Sequence, residues 1–397
     1  MRWDRTVRRS DAASTLASVV VLTGVQGVAP ALPEMRDAFA LDDAGASVLT
    51  FGYLLASAVI AAPVAALADR LGERRILVAS LLVFGVAGGA VMGAPNIWVL
   101  IAARTVQGAA FGVVLAVTIG LTGKGLGTVA LARAQSTRVI AMAVAEVVLP
   151  LAAGGILEVA NWRVVGALQL AAIPAALICA VLLTGDDDVP SKDDAQRGLR
   201  PALSALHTPF GAAVQVPGFI RFLLKFAVLT YWPLLAADDY AMSPWAIGAV
   251  LSATAVASIV AAWATPILIG QWGTAWPTLS GLLCAAVPLM VFPAVPSAMV
   301  LAVLVVITGL GDGLIGVANN VSASLAAPDA GRSAFFGLTG SVRNLGKVAA
   351  LAVIGGVAVA APLSVAFAVA GTVGLVSTAV LPTIARGERD RASGKQL

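Results

Sequence analysis

The chain has 397 residues, of which 59% are hydrophobic and only 12% charged, with a mean hydropathy of +0.94. So few polar side chains cannot cover a surface facing water, which excludes a soluble globular protein and points to an integral membrane protein. The net charge of +4 is no nucleic-acid signal, because the basic residues gather in loops on one side of the apolar segments.

About twelve apolar runs of at least about 18 residues can be marked, long enough for helices across a hydrocarbon core of about 30 Å, whereas a barrel strand needs only about ten residues. The first follows a basic N-terminus, MRWDRTVRRSDAAS. Its run is as long as a full span and offers no small-x-small cleavage site before Pro30, so it reads as a retained first helix, Ala12 to Pro33, not a signal peptide. Thr15, Ser18 and Gln26 share one of its faces, and Glu34, Asp37, Asp42 and Asp43 follow in an acidic loop.

Span 2, residues 45–68, stops in Asp69-Arg70-Leu71-Gly72-Glu73-Arg74-Arg75, a run of charges too dense for hydrocarbon. Span 3 covers Ile76 to Gly93 and span 4 Ile97 to Gly123. Arg104 lies roughly 11 Å inside span 4 at 1.5 Å per residue, where an arginine is costly unless it meets water or a partner, so it is a candidate functional residue. Its other reading is a structural arginine bonded to backbone carbonyls. Gln107, Phe111 and Thr118 continue its face. Span 5, Thr137 to Val159, carries Glu146 near mid-depth, then Pro150 and Gly154-Gly155. Span 6 ends near Thr184.

Residues 185–217 are the one long polar break and divide the chain into an N-terminal six-span part, 1–184, and a C-terminal one, 218–397. Asp186 to Asp188 read as a solvated turn, and the lone His207 falls on this loop. Span 7, Phe219 to Ala237, opens with Arg221 and Lys225 and closes with Tyr231-Trp232. Span 8, Ala246 to Ile269, contains Trp263 and leads into Gly270 to Trp276, an inner loop without charges. Span 9 reaches Phe292. Span 10, Ala298 to Ala326, places Thr308, Asp312, Asn319 and Ser322 in a polar stripe, with Asn320 beside it. Span 11, from Phe335, carries Arg343, Asn344 and Lys347, and span 12 ends near Ile384 before a basic tail.

With the N-terminus in the cytoplasm, the basic residues flanking the spans fall inside, and only Arg36 and Arg163 lie in outer loops. A shift by one span would reverse this, so the positive-inside rule favours cytoplasmic termini. At an offset of 201 residues, Gly72 matches Gly273, Gly108 matches Gly309, Gly112 matches Gly313, and Gly154-Gly155 match Gly355-Gly356. That spacing suggests two copies of a six-helix unit.

Ala65-x-x-x-Asp69-Arg70-x-Gly72-x-Arg74 resembles the inner loop between the second and third helices of the major facilitator superfamily. Leu22-x-Gly24 with Pro30-x-x-Pro33, Arg104-x-x-Gln107-Gly108, the diluted Pro150…Gly154-Gly155 and Gly340-x-x-Arg343-Asn344-Leu345-Gly346 resemble stretches of its drug:proton antiporters. Two departures stand out: Ala65 replaces the leading glycine, and Glu73 the basic residue after Gly72. In the family that basic residue pairs with an acid at the end of helix 4. Here span 4 ends at Lys124, so a reversed pair of Glu73 with Lys124 or Arg133 would close the same gate, which comprises Asp69, Arg70, Gly72, Glu73, Arg74, Lys124 and Arg133. A solvated Glu73 is the alternative.

The resemblance implies an all-α fold of twelve transmembrane helices in two pseudo-symmetric six-helix bundles, around a substrate cavity lined by Gln26, Arg104, Gln107, Lys225, Tyr231, Trp232, Trp263, Asp312, Asn319, Asn320 and Asn344. A lining of mixed charge with aromatics suits a small amphipathic or zwitterionic solute. Glu146 and Asp312 are the mid-depth acids, and one of them, near Arg104 or Lys225, is expected to carry the coupling proton. The expected function is secondary active transport by alternating access in the plasma membrane, by a monomer, as proton-coupled, multidrug-type efflux. Proton-linked uptake of an organic acid is the alternative, drawing on Arg104, Lys225, Arg343 and Lys347. A membrane-embedded enzyme or lipid-handling protein is a poorer fit. One histidine and no nucleophile–base pair, phosphate-cradling loop or metal-ligand spacing point to no enzyme, no metal and no cofactor.

Overall fold

A computed structural model describes residues 2–122, 128–183, 199–328 and 332–392. Every regular element among them is an α- or 3₁₀-helix. The α-helices in order are α1 Arg2–Val21, α2 Leu32–Ala38, α3 Asp43–Leu71, α4 Glu73–Met92, α5 Ile97–Leu121, α6 Thr128–Val159, α7 Trp162–Gly166, α8 Ala172–Leu182, α9 Leu199–His207, α10 Pro209–Asp238, α11 Pro244–Trp272, α12 Ala275–Val291, α13 Ala298–Ala326, α14 Arg332–Ala358, α15 Leu363–Val376 and α16 Leu381–Ala392. Eleven helical stretches among the described residues are long and apolar enough to cross a bilayer. α3, a 29-residue helix with a described apolar core at Val48–Ile60, supplies the twelfth.

The first span is broken where one helix was expected. α1 ends at Val21, a 3₁₀ turn covers Leu22–Gly24, a second covers Ala29–Ala31, and α2 follows. Gly24, Gly27 and Pro30 crowd this stretch, and glycine and proline are the residues that least sustain a regular helix. The break takes the Gly24 carbonyl out of the regular ladder, where Arg104 claims it (below).

The expected loop 185–217 is also corrected. Residues 184–198 lie outside the described residues, but α9 begins at Leu199 and α10 at Pro209. The Thr208 side chain accepts from the Gly211 N–H at 3.0 Å with Pro209 in the first turn, a strong helix start. Pro217 then sits inside α10, not at its boundary. α9 turns Ala202 inward, against a cluster that includes Phe210, Phe335 and Ile384, and leaves Leu203 exposed. His207 is the last residue of this short helix.

The chain divides into two compact units, residues 1–190 with 242–252, and residues 191–241 with 253–397. The repeat in the sequence is a repeat of packing. In the first unit, a Cβ on Gly108 would run into the Tyr53 carbonyl and one on Gly112 would approach the Ser57 carbonyl, so α5 lies directly on α3. In the second, Gly309 meets the Thr254 carbonyl and Gly313 that of Ser258, so α13 lies on α11 in the same way. Each of these partners is also displaced by 201 residues. Gly72 and Gly273 are the two described glycines with positive φ, +93° and +73°, at the same turn in each copy. Small residues let helix backbones approach where there is no hydrophobic drive between them.

Gly309→Ala should therefore lower the melting temperature of the purified protein, by about 1–3 kcal/mol of overpacking, since the neighbour is backbone and cannot step aside. Gly356→Ala, where nothing lies within 4 Å, should be neutral or stabilising by up to about 1 kcal/mol. Equal effects of the two would contradict the close approach of α13 to α11.

Candidate functional site

In the first unit the polar centre is Arg104, 2% exposed. Its Nη1 donates to the Gly24 carbonyl at 2.7 Å and to Gln107 Oε1 at 2.8 Å, its Nε points to the Leu49 carbonyl at 3.4 Å, and its guanidinium lies 4.4 Å from the Tyr53 ring centre. Gln107, fully buried, passes the chain on, its Nε2 donating to Gln169 Oε1 at 2.6 Å. Gly88 makes room for Gln169, since a Cβ there would lie 2.6 Å from the Gln169 Cβ.

These contacts follow the alternative reading of Arg104, a structural arginine bonded to backbone carbonyls. Its donors go to carbonyls and an amide, and among the described residues no carboxylate pairs with it. Arg104 and Gln107 tie the broken first span to α3, α5 and the 3₁₀ turn at Ala167–Ala171. Gln26 is buried in that broken span, and Glu146 is half-buried on α6.

Further along the first unit, Ser14 Oγ and Thr122 Oγ1 are 2.8 Å apart, Ser18 donates to Thr118 Oγ1 at 3.0 Å, and Arg138 Nη1 donates to Ser18 Oγ at 3.1 Å. Sequence reasoning grouped Ser18 with Thr15, but the buried serines are Ser10, Ser14 and Ser18, the i, i+4, i+8 set.

Of the expected gate, Gly72 forms the positive-φ turn before α4, and Arg74 Nε donates to the Ala180 carbonyl near the end of α8 at 3.1 Å. A cation there suits the negative end of the helix dipole. Lys124 and the side chains of Asp69, Arg70 and Arg133 lie outside the described residues, and with them the reversed gate pair.

The second unit holds the ionic centre. Asp312 of α13 is 7% exposed. Its Oδ1 accepts from Arg221 Nε at 2.7 Å, and its Oδ2 accepts from Arg221 Nη2 at 3.1 Å, Lys225 Nζ at 3.4 Å and Ser258 Oγ at 2.9 Å. Arg221 and Lys225 lie one turn apart on α10, and Ser258 comes from α11. Gly316, one turn beyond Asp312, makes the seat for the guanidinium, since a Cβ there would lie 2.8 Å from Arg221 Cζ. A two-pronged arginine contact fixes a carboxylate in place as well as holding its charge.

A second arginine stands close by. Arg343 Nη2 donates to Asn320 Oδ1 at 2.6 Å. With its amide oriented to satisfy both neighbours, Asn319 donates to the Val214 carbonyl at 2.7 Å and accepts from Arg343 Nη2 at 3.1 Å. Asn344 is half-buried. Lys347 Nζ lies 5.1 Å and 5.4 Å from the ring centres of Phe222 and Phe226.

Three cavity assignments are corrected. Trp263 is 80% exposed, in a stripe with Val256, Val260 and Ile267 on α11. In an apolar helix of this length that stripe meets acyl chains. Tyr231 and Trp232 are fully enclosed, Tyr231 donating to the Leu351 carbonyl at 3.1 Å, so they fill the second unit and do not line an opening. Arg221 and Ser258 belong to the site and were not among the expected residues.

The model of the Major Facilitator Superfamily matches residues 14–351, most of the chain and both units. The chain belongs to the Major Facilitator Superfamily. This superfamily member is 28% identical over 222 residues to the "Multidrug resistance protein B homolog" of Mycobacterium tuberculosis, a match covering 56% of this chain and 39% of that protein. It is 24% identical over 236 residues to the "Lincomycin resistance protein" of Streptomyces lincolnensis, covering 59% and 45%. The match thus spans less than half the length of these curated relatives. Among solved structures, a bacterial homologue of the human lysosomal transporter Spinster aligns with a TM-score of 0.71 at 12% identity over 98% of this chain and 97% of that one. A POT family transporter in complex with 5-aminolevulinic acid aligns with 0.75 at 13% identity over 96% of each. The fold is the one these solved transporters share, and the chain is a multi-pass membrane protein of the superfamily.

Proposed function

We propose that this superfamily member is a proton-coupled exporter of a small amphipathic or zwitterionic compound, working as a monomer by alternating access in the plasma membrane with both termini in the cytoplasm. The observation that carries the reading is Asp312, a buried carboxylate held by Arg221, Lys225 and Ser258. Two cations keep such an acid ionised, and an acid that loses them in a low-dielectric setting takes up a proton. If a shift of α10 against α13 parts the pair, Asp312 gains a proton in one access state and gives it up in the other. The names of the two relatives, multidrug and lincomycin resistance proteins, support export. The alternative, proton-linked uptake of an organic acid, draws on the basic residues Arg221, Lys225, Arg343 and Lys347 against the one mid-span acid of α10, α13 and α14.

The test is a proteoliposome assay with an imposed pH gradient, screened over cationic, zwitterionic and anionic solutes. Solute moving against the proton flow supports export, and solute moving with it supports uptake. Movement indifferent to the gradient for every solute that moves would remove proton coupling.

A further inference from the structure

Arg221 and Arg343 are two guanidiniums in one unit with opposite treatment. Arg221 is matched by the Asp312 carboxylate. Among the described residues Arg343 is matched by neutral groups, the oxygens of Asn320 and Asn319. Both bonds go to Nη2. Nε is buried, and neither it nor Nη1 has a partner among the described residues. The side chain is thus oriented by amides on one edge, with its charge uncancelled and its remaining edge available. A guanidinium two turns inside a membrane span is costly unless water or an anion meets it.

The surroundings fit a receptor. Asn320 lines a cavity of about 520 Å³ together with Val317, Val321, Ser324 and Leu325 of the same helix, so the amide that aims Arg343 stands in the wall of an open space lined by valine and leucine. Gly218 of α10 makes the seat, since a Cβ there would come within 2.8 Å of the Asn319 side-chain amide and 3.4 Å of Arg343 Nε. On α10, α13 and α14 the only carboxylates are Asp312 and, at the far end of α10, Asp238. An arginine presented by amides, with no acid of its own, is prepared for an acid brought by something else.

We propose that Arg343, aimed by Asn320 and Asn319, receives an anionic group of the transported solute, a carboxylate or comparable oxyanion whose apolar body lies along Val317, Val321 and Leu325. This deepens the transport reading and rests on it, because the cavity is taken as the solute's path. It also divides the work: Arg221 holds the acid of the protein and Arg343 the acid of the cargo. The solute class is then a zwitterion or an amphipathic acid, not a simple organic cation.

The test is equilibrium binding to the purified full chain in detergent, without a pH gradient, using a panel of aryl carboxylates such as 1-naphthaleneacetate, each beside its methyl ester and the corresponding amine. A charge-assisted hydrogen bond contributes about 1.5–3 kcal/mol, so the best carboxylate should bind at least about tenfold tighter than its ester. Arg343→Gln should bring that ratio to about one by weakening the carboxylate far more than the ester, and Arg343→Lys should fall between. The wild-type ratio stands even if a variant fails to fold. If no carboxylate exceeds its ester, or if Arg343→Gln weakens both alike, the receptor assignment is wrong. A carboxylate preference in a protein indifferent to pH gradients would keep the receptor and sink only the proton coupling.

Discussion

Asp312→Asn is expected to reduce pH-gradient-driven transport to the level of empty liposomes while solute exchange without a gradient persists. The amide keeps the shape of the carboxylate and can still accept from Ser258 Oγ, now 2.9 Å away, but it neither carries charge nor exchanges a proton. The substitution also leaves Arg221 and Lys225 facing a neutral group. Breaking a buried ion pair by removing one partner costs about 3–5 kcal/mol. The Arg221 and Lys225 side chains keep 19% and 22% of their surface, so water recovers part of that and a loss near the lower end is expected in a melting curve. Exchange without a gradient separates the two effects, since an unfolded protein would lose both activities. Gradient-driven transport at the wild-type rate in Asp312→Asn would end the assignment of the proton to this residue. Glu146 would then be the remaining mid-depth acid.

Arg104→Lys is expected to be among the most destabilising conservative changes in the chain. A guanidinium reaches the carbonyls of Gly24 and Leu49 and the amide of Gln107 at once. An ammonium on a flexible stem cannot span three acceptors held in a fan. Each buried acceptor left without a donor costs about 1–3 kcal/mol, so a loss of about 3 kcal/mol is expected, read as a fall in melting temperature and in yield of folded protein. Because the break at Gly24 depends on this clamp, the loss should appear with no solute present. A variant that melts normally but transports poorly would instead return Arg104 to the cavity wall.

Most of the architecture was legible because bilayer physics leaves few choices, and run length marks the spans. The errors have local causes. With the polar break taken to run through residue 217, span 7 starts at Phe219, which puts Arg221 at the membrane edge. With the helix running from Pro209, Arg221 lies over three turns inside, opposite Asp312. Trp263 was misplaced because α11 is apolar on every side, so no periodicity tells the lipid face from the inner one. Arg104 stood out as an arginine inside an apolar run, and a carbonyl-bound arginine was one of its two readings, but which carbonyls it meets, Gly24 at a helix break and Leu49 in α3, has no signature in a residue string. Ser258 was legible in principle: it stands 201 residues after Ser57, and both lie under repeat-matched glycines.

The matched seats of Gly112 on Ser57 and Gly313 on Ser258 put Phe111 and Asp312 at corresponding places in the two copies. In the first copy that place holds a ring tilted against Tyr53 with centres 5.3 Å apart, and in the second it holds the carboxyl met by Arg221, Lys225 and Ser258. With Asp312 as the proposed proton carrier, coupling would rest on the second copy. Substitutions that alter cargo or coupling should collect in the later half of the gene, and those that merely loosen the protein in the earlier.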